Sequence, residues 1–274
     1  MTSREPPLAF TLHLPPEDQP EPKTVVLVHG FPDGPALWSQ LIPSALEAGY
    51  RVVNVALPGY GDDDAPGATS FDSLSERLLA TFDAANATKP VLITHDWGSV
   101  LAYLLLQRHP DAVQRLVCLD VGLAERSLFK AALVLGYQSL LVLAYLLGGP
   151  LGDALSRWIC RWLLRRPAYP GATPARARHG WLYRQAWREA GSAGPWWAYY
   201  RNRVASWDVE ASPPFLFAYG RELWSWAQFH TPQWRETVKA AGHRVVALPG
   251  QHWFMAQHPE QTWEAIDAFL RGYD

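Results

Sequence analysis

Six short runs of apolar, largely β-branched residues recur along the chain, at residues 23–28, 51–57, 90–95, 113–120, 214–220 and 243–248. Each is too short for a typical helix, and turn-forming residues punctuate the stretches between them, so each predicts a strand buried on both faces. Helical periodicity separates them. It covers residues 71–85, where Leu74, Leu78 and Phe82 share a face, and residues 99–108, 233–241 and 260–271. Strand alternating with helix predicts an α/β class with a mostly parallel sheet and helices on both faces. The opening segment through Pro22 is rich in proline and ends in a turn cluster, and no strand is read there. A chain of 274 residues is long enough for one such domain carrying an insertion.

The alternation fails between Gly122 and Ser212, where helical segments rich in leucine, tryptophan and arginine replace it. A helical cap is expected over residues 123–212, inserted between core segments 1–122 and 213–274. Residues 131–152 contain no charge and, as a helix, approach the thickness of a bilayer. Gly136, Tyr137, Gln138 and Ser139 interrupt the run. A single span there would also put Asp96 and everything after residue 153 on opposite sides. The expectation is therefore a buried helix facing an apolar groove, with no transmembrane span.

From Arg157 to Arg203 the chain has ten arginines against one acid, Glu189, and six tryptophans. Two readings stay open: a solvated arginine surface over packed tryptophans, or a basic face for anionic ligands or peripheral contact with a membrane. The net charge of −2, with 18% charged residues, implies no nucleic-acid partner. Cys118 and Cys160 have no metal-ligand spacing, and neither a metal nor a cofactor is expected. The first ten residues lack the basic start and apolar run of a secretory signal, so a cytoplasmic address is expected.

Residues 94–99 read Thr-His-Asp-Trp-Gly-Ser, and here a predicted strand runs into a helix through the single residue Asp96. That is the geometry of a nucleophile elbow, usually occupied by the Ser of Gly-x-Ser-x-Gly. Alone, such an Asp reads first as a helix cap. Its neighbours change the reading. His29-Gly30-Phe31-Pro32-Asp33 follows the first core strand, from which the Phe31 amide, with that of Trp97, would build an oxyanion hole. Leu57-Pro58-Gly59-Tyr60-Gly61-Asp62 closes the second strand, and Pro249-Gly250-Gln251-His252-Trp253 follows the last. Such sheets carry their sites at this carboxyl edge.

With these motifs in this order, the sequence resembles the epoxide hydrolase and haloalkane dehalogenase branch of the α/β-hydrolase superfamily, most closely an epoxide hydrolase. The match runs through nearly the whole chain, strong in the core and weaker in the cap. It departs at Thr94, where that branch usually has glycine. The resemblance implies an α/β-hydrolase fold with Asp96 as covalent nucleophile and His252 as general base. A carboxylate suits displacement at saturated carbon, because it is anionic at neutral pH without a base. A histidine titrating near neutrality suits the later deprotonation of water. His29 and His95 are expected to orient the oxyanion loop and the elbow, and His13, His109, His179 and His258 to lie at the surface.

In many relatives the acid behind the histidine would fall at Leu223, which cannot serve. Asp120, at the end of the strand after the elbow helix, and Glu222, one residue from the usual place, are the two candidates, and Asp120 is preferred. Its 24-residue offset from Asp96 resembles that of some haloalkane dehalogenases. Relatives that open epoxides use two cap tyrosines, and the resemblance implies Tyr137 and Tyr200. The expected activity is hydrolysis of a small hydrophobic epoxide to a vicinal diol. The alternatives are a haloalkane dehalogenase, disfavoured by Phe31 where a halide donor often stands, and a non-catalytic ligand-binding protein on the same fold.

Overall fold

The computed structural model describes residues 5–16, 22–61, 69–122, 128–191, 207–222 and 229–272. Seven strands form one sheet: β1 Ala9–His13, β2 Thr24–Val28, β3 Arg51–Ala56, β4 Val91–His95, β5 Arg115–Leu119, β6 Phe215–Gly220 and β7 Arg244–Leu248. Their order is β1-β3-β2-β4-β5-β6-β7. All neighbours are parallel except β1, which runs antiparallel to β3 with Ala9 opposite Ala56. The six strands read from the sequence are present, each shorter by one to three residues at its ends. β1 is an addition: its side chains are mostly exposed, so it has no apolar signature, and it forms by pairing its backbone with the free edge of β3.

Alternate residues of the parallel strands enter two hydrophobic layers. Val26, Val28, Val53, Val55, Leu92, Leu116 and Phe217 pack with α2 Phe71–Ala84 and α3 Trp97–Arg108. Val25, Leu27, Val52, Ile93, Val117 and Leu216 pack on the other face, with α1 Leu41–Glu47 among the elements there. β4 and β5 are buried at every position, as a central parallel strand covered on both faces requires. α2 begins at Ser70, whose side chain accepts the Ser73 amide in an N-cap, and turns Leu74, Leu78 and Phe82 inward.

Between β5 and β6 the described elements are all helical: α4 Leu128–Leu147, α5 Gly149–Trp158, a π-helical turn Ile159–Leu163, a 3-10 turn Ala177–Gly180 and α6 Trp181–Ala190. The uncharged run is therefore two helices. It breaks at Gly148 and Gly149, whose φ of 59° and 49° lie in the left-handed region that glycine adopts without strain. No helix among the described residues is long and apolar enough to cross a membrane. α5 folds back on α4 at Gly152, where a Cβ would stand 2.2 Å from the Ala144 carbonyl oxygen. The expectation of a buried helix holds for one side of α4 only. Tyr137, Gln138, Leu141, Val142 and Ala144 are buried, while Leu133, Leu143, Leu146 and Leu147 are exposed.

After β6 the described chain forms α7 Pro232–Ala240, then β7, the short α8 Phe254–Gln257 and α9 Pro259–Arg271. α9 buries Ile266, Phe269 and Leu270 in the same layer as α1. The loops that follow β2, β4, β5 and β7 thus meet at one edge of the sheet.

Candidate active site

Asp96 sits between β4 and α3 with φ 52° and ψ −121°, a conformation that L side chains rarely adopt. The turn projects its carboxylate over the sheet edge. The Phe31 amide donates to Oδ1 at 2.6 Å, and the Trp97 amide also hydrogen-bonds the carboxylate. Both amides predicted for the oxyanion hole thus hold Asp96 itself. Gly30 makes this approach feasible, because a Cβ there would lie 2.3 Å from Asp96 Oδ1 and 2.5 Å from the Trp97 nitrogen. Thr94, the departure from the elbow pattern, is fully buried with its hydroxyl 3.0 Å from Ser99 Oγ and donating to the Val117 carbonyl at 3.2 Å. The β-branched residue is accommodated by giving its hydroxyl partners.

His252, on the loop after β7, lies with Nδ1 2.7 Å from Asp120 Oδ2 and Nε2 3.7 Å from Asp96 Oδ2. Asp120 is fully buried at the end of β5 with φ 67°, and its Oδ1 accepts the Gly220 amide at 3.3 Å. Glu222 is exposed. Of the two acid candidates the structure brings Asp120, and not Glu222, to His252; Leu223 lies outside the described residues. Burial pushes the His252 pKa down, but hydrogen bonds to Asp120 and Asp96 and their negative charges outweigh it and raise it to about 9. Burial likewise pushes the Asp96 carboxyl up, and the hydrogen bond and charge of His252, with His95 and the Trp97 amide, carry it below its ordinary value. His252 thus lies between the Asp120 and Asp96 side chains, and both favour its protonated form.

His95 is buried and held neutral, its pKa lowered to about 4 by desolvation and the nearby His252. Its Nε2 lies 2.9 Å from the His252 carbonyl oxygen, which can only accept, so Nε2 carries the proton. It therefore braces the His252 loop as well as adjoining the elbow. His29, lowered to about 4 mainly by burial, donates from Nδ1 to the Gly30 carbonyl and accepts the Leu57 amide at Nε2. His179 is a correction: expected at the surface, it is buried, with its ring stacked on Tyr60 at 4.5 Å. The stacking partner comes from the loop after β3, which no local signal reveals.

Tyr137 of α4 lines the cavity over Asp96 together with Phe31, His252 and Trp253. The Gln138 side-chain amide donates to its hydroxyl oxygen at 2.8 Å, leaving the phenolic proton to be given elsewhere. Tyr200 lies outside the described residues. A second tyrosine in the cavity escaped the sequence reading. Tyr183 of α6 lines it and hydrogen-bonds both Tyr137 and the Trp97 side chain, with its ring edge-on to Phe31 at 5.1 Å. The helical periodicity of α6, which turns Trp181, Leu182, Tyr183 and Ala186 inward, is the signal that could have found it.

Two further buried groups adjoin the site. His230 Nε2 is 3.8 Å from Asp120 Oδ1. Asp33, fully buried, accepts from Arg166 Nε at 2.8 Å and from the Tyr169 hydroxyl on one oxygen, and from Trp253 Nε1 at 2.6 Å on the other. Among the described residues no cluster of three or more His, Cys, Asp or Glu could hold a metal.

The family model of the alpha/beta hydrolase fold matches residues 23–259. Over 106 residues the chain is 34% identical to epoxide hydrolase 3 of Siraitia grosvenorii, covering 38% of this chain and 34% of that protein. Over 114 residues it is 34% identical to epoxide hydrolase B of Mycobacterium tuberculosis, covering 40% and 32%. Over 115 residues it is 30% identical to the AB hydrolase superfamily protein YfhM of Bacillus subtilis, covering 41% and 40%. These matches each span less than half of the curated relative's length. The crystal structure of epoxide hydrolase A from Mycobacterium thermoresistibile superposes with a TM-score of 0.59 at 23% identity, over 93% of this chain and 92% of that one. That of a haloalkane dehalogenase from Bradyrhizobium elkani gives 0.70 at 17% identity, over 96% and 98%. With the family model running from just before the first parallel strand to the start of the last helix, the chain belongs to the alpha/beta hydrolase fold family.

Proposed function

We propose that the protein hydrolyses small hydrophobic epoxides to vicinal diols through an ester on Asp96, with residues 123–212 serving as the cap over the site. The observation that carries this is the division of the Asp96 carboxylate: the Phe31 amide holds Oδ1, Oδ2 is the oxygen nearer His252 Nε2, and the residue lines a cavity with two tyrosines. The names of the curated epoxide hydrolases it resembles support the same reading.

In the first half-reaction Oδ2 attacks a ring carbon. An Oδ2–C bond forms, the C–O bond of the ring breaks, and the ring oxygen takes a proton from Tyr137 or Tyr183 to become a hydroxyl; the tyrosinate left behind is reprotonated by the His252 imidazolium. In the second, His252 Nε2 takes a proton from water, whose oxygen attacks the Asp96 carbonyl carbon. Negative charge then develops on Oδ1, where the Phe31 amide already points, with the Trp97 amide also bound to this carboxylate. Collapse breaks the bond between that carbon and the ester oxygen, the imidazolium gives its proton to the departing alkoxide, and the Asp96 carboxyl left behind passes its own proton to His252, restoring the carboxylate and the imidazolium. Asp120 fixes the tautomer of His252 and stabilises its cation.

Electrostatics supports this order. His252, raised to about 9, is protonated at neutral pH beside the anionic Asp96 and does not hinder the attack of Oδ2. Ester formation removes the Asp96 charge, one of the two that hold the proton on His252. Its pKa then falls, and the base becomes available for the second step.

Single turnover in oxygen-18 water tests the ester. The label is expected in Asp96 and not in the first diol released; label in that diol with an unlabelled Asp96 peptide would exclude it. Asp120 at the end of β5 favours a second reading, the haloalkane dehalogenase, through the same resemblance that singled it out. Halide release from matched chloro- and bromoalkanes, without diol formation from epoxides, would select that reading.

A further inference from the structure

α4 is apolar on both of its sides, and one side faces outward. Phe129, Leu133, Gly136, Leu143, Leu146 and Leu147 recur at spacings of three, four and seven and are exposed, Leu146 at 63% and Leu147 at 53%. A helix that is hydrophobic all round normally meets another apolar surface. The stripe runs on into α5 at Leu151, 75% exposed, and the next turns bring out Trp158 at 49% and Trp162 at 61%. Arg157 and Arg161 are exposed beside those tryptophans, and the Arg161 guanidinium lies 5.2 Å over the Trp162 ring. Among the arginines between residues 131 and 178, Arg166 is paired with Asp33, whereas Arg157 and Arg161 are exposed; the acid of that stretch, Asp153, accepts the Ala177 amide on one oxygen at 2.8 Å.

We propose that this surface docks on an anionic phospholipid bilayer, with the α4 leucines and Leu151 entering the acyl boundary and Arg157 and Arg161 at the phosphates. Charge is the first argument: the exposed guanidinium groups of Arg157 and Arg161 complement anionic headgroups. Composition is the second. A protein interface carries about one hydrogen bond per 100–200 Å² of its area, and the six outward positions of α4 named above carry no side-chain donor or acceptor. Tryptophan and arginine side by side are the residues of the membrane–water interface. The docked helix would lie along the surface without crossing, as its exposed and buried sides require. Its buried side carries Tyr137, so the element that touches the bilayer is also a wall of the cavity over Asp96. The docking stands apart from which bond that cavity cleaves.

Flotation of the full chain with vesicles tests this. The protein is expected to float with phosphatidylcholine vesicles containing roughly 30% phosphatidylserine. Partitioning should be about tenfold weaker on phosphatidylcholine alone, or at about 0.5 M salt. Leu146→Glu with Leu151→Glu, both at exposed positions, should lower partitioning at least about tenfold while leaving the circular-dichroism spectrum and melting temperature unchanged. Arg157→Gln with Arg161→Gln should erase the preference for phosphatidylserine. Failure of the parent to float with either vesicle overturns the proposal, as does binding by both variants equal to that of the parent. A dimer in sedimentation velocity that the Leu146→Glu, Leu151→Glu variant dissolves, without vesicle binding, assigns the surface to a second copy and overturns it equally.

Discussion

The two oxygens of Asp96 have different neighbours. Oδ1 accepts the Phe31 amide, and Oδ2 lies 3.7 Å from an imidazole that is already bound to a second carboxylate. If Oδ2 attacks and His252 serves only the second step, the two half-reactions separate by mutation. His252→Gln should form the ester and stop, accumulating one substrate mass per chain while turnover falls by roughly 10²–10⁴; mass spectrometry of the intact protein reads this directly. Asp120→Asn should slow ester hydrolysis much more than ester formation in single-turnover kinetics, and Glu222→Gln should change neither. Asp96 and His252 could be singled out in the sequence because each sits in a short motif directly after a strand. The choice between Asp120 and Glu222 could not be closed there. β5 and β6 are neighbours in the sheet, so both strand ends come near the same loop, and only the backbone turn at Asp120 aims one carboxylate at Nδ1.

At the level of elements, buried parallel strands were legible because continuous β-branched runs fit little else, whereas β1, exposed and held by edge pairing, has no such pattern. The helices between β5 and β6 were legible as helices but not in their placement. Tyr183 reaches the cavity because α6 packs across α4, a contact between residues 46 positions apart in sequence, and no motif announces it. The consequence is measurable. Tyr183→Phe should slow ester formation by about ten- to a hundredfold, with the folded spectrum unchanged, because one of two donors to the developing alkoxide is gone. Burst kinetics in the His252→Gln background isolates that step. An unchanged burst would return the second donor to Tyr200.

For the molecule as a whole, the same ion cluster ties folding to pH. His252 has a folded pKa of about 9, above its ordinary 6.5, so its stabilising contribution is complete below about 6.5 and is lost as pH rises through 9. Asp96, lowered in the fold, contributes above its ordinary value and loses that contribution as pH falls through its folded one. The melting temperature should therefore decline between neutrality and pH 10, and His252→Gln should flatten that decline; parallel melts of the two proteins check it. The net charge of −2 gave no hint of this, because the effect lies in the local environment of His252 and Asp96 and not in the total.

Asp33 joins three stretches that are distant in sequence: its own loop beside Phe31, the segment of Arg166 and Tyr169, and Trp253 next to His252. Withdrawing a partner from a buried charge costs about 3–5 kcal/mol, so a rearrangement that admits substrate is cheapest when it leaves this point still. Asp33→Asn should accordingly lower stability by about that amount in urea titration and change kcat and KM together, since it loosens both sides of the cavity. A carboxylate held from three separate stretches is the expected fixed point of such a rearrangement. Whatever swings open to let a substrate in should do so around the end of the helical stretch anchored there, and the doorway should lie at the other end.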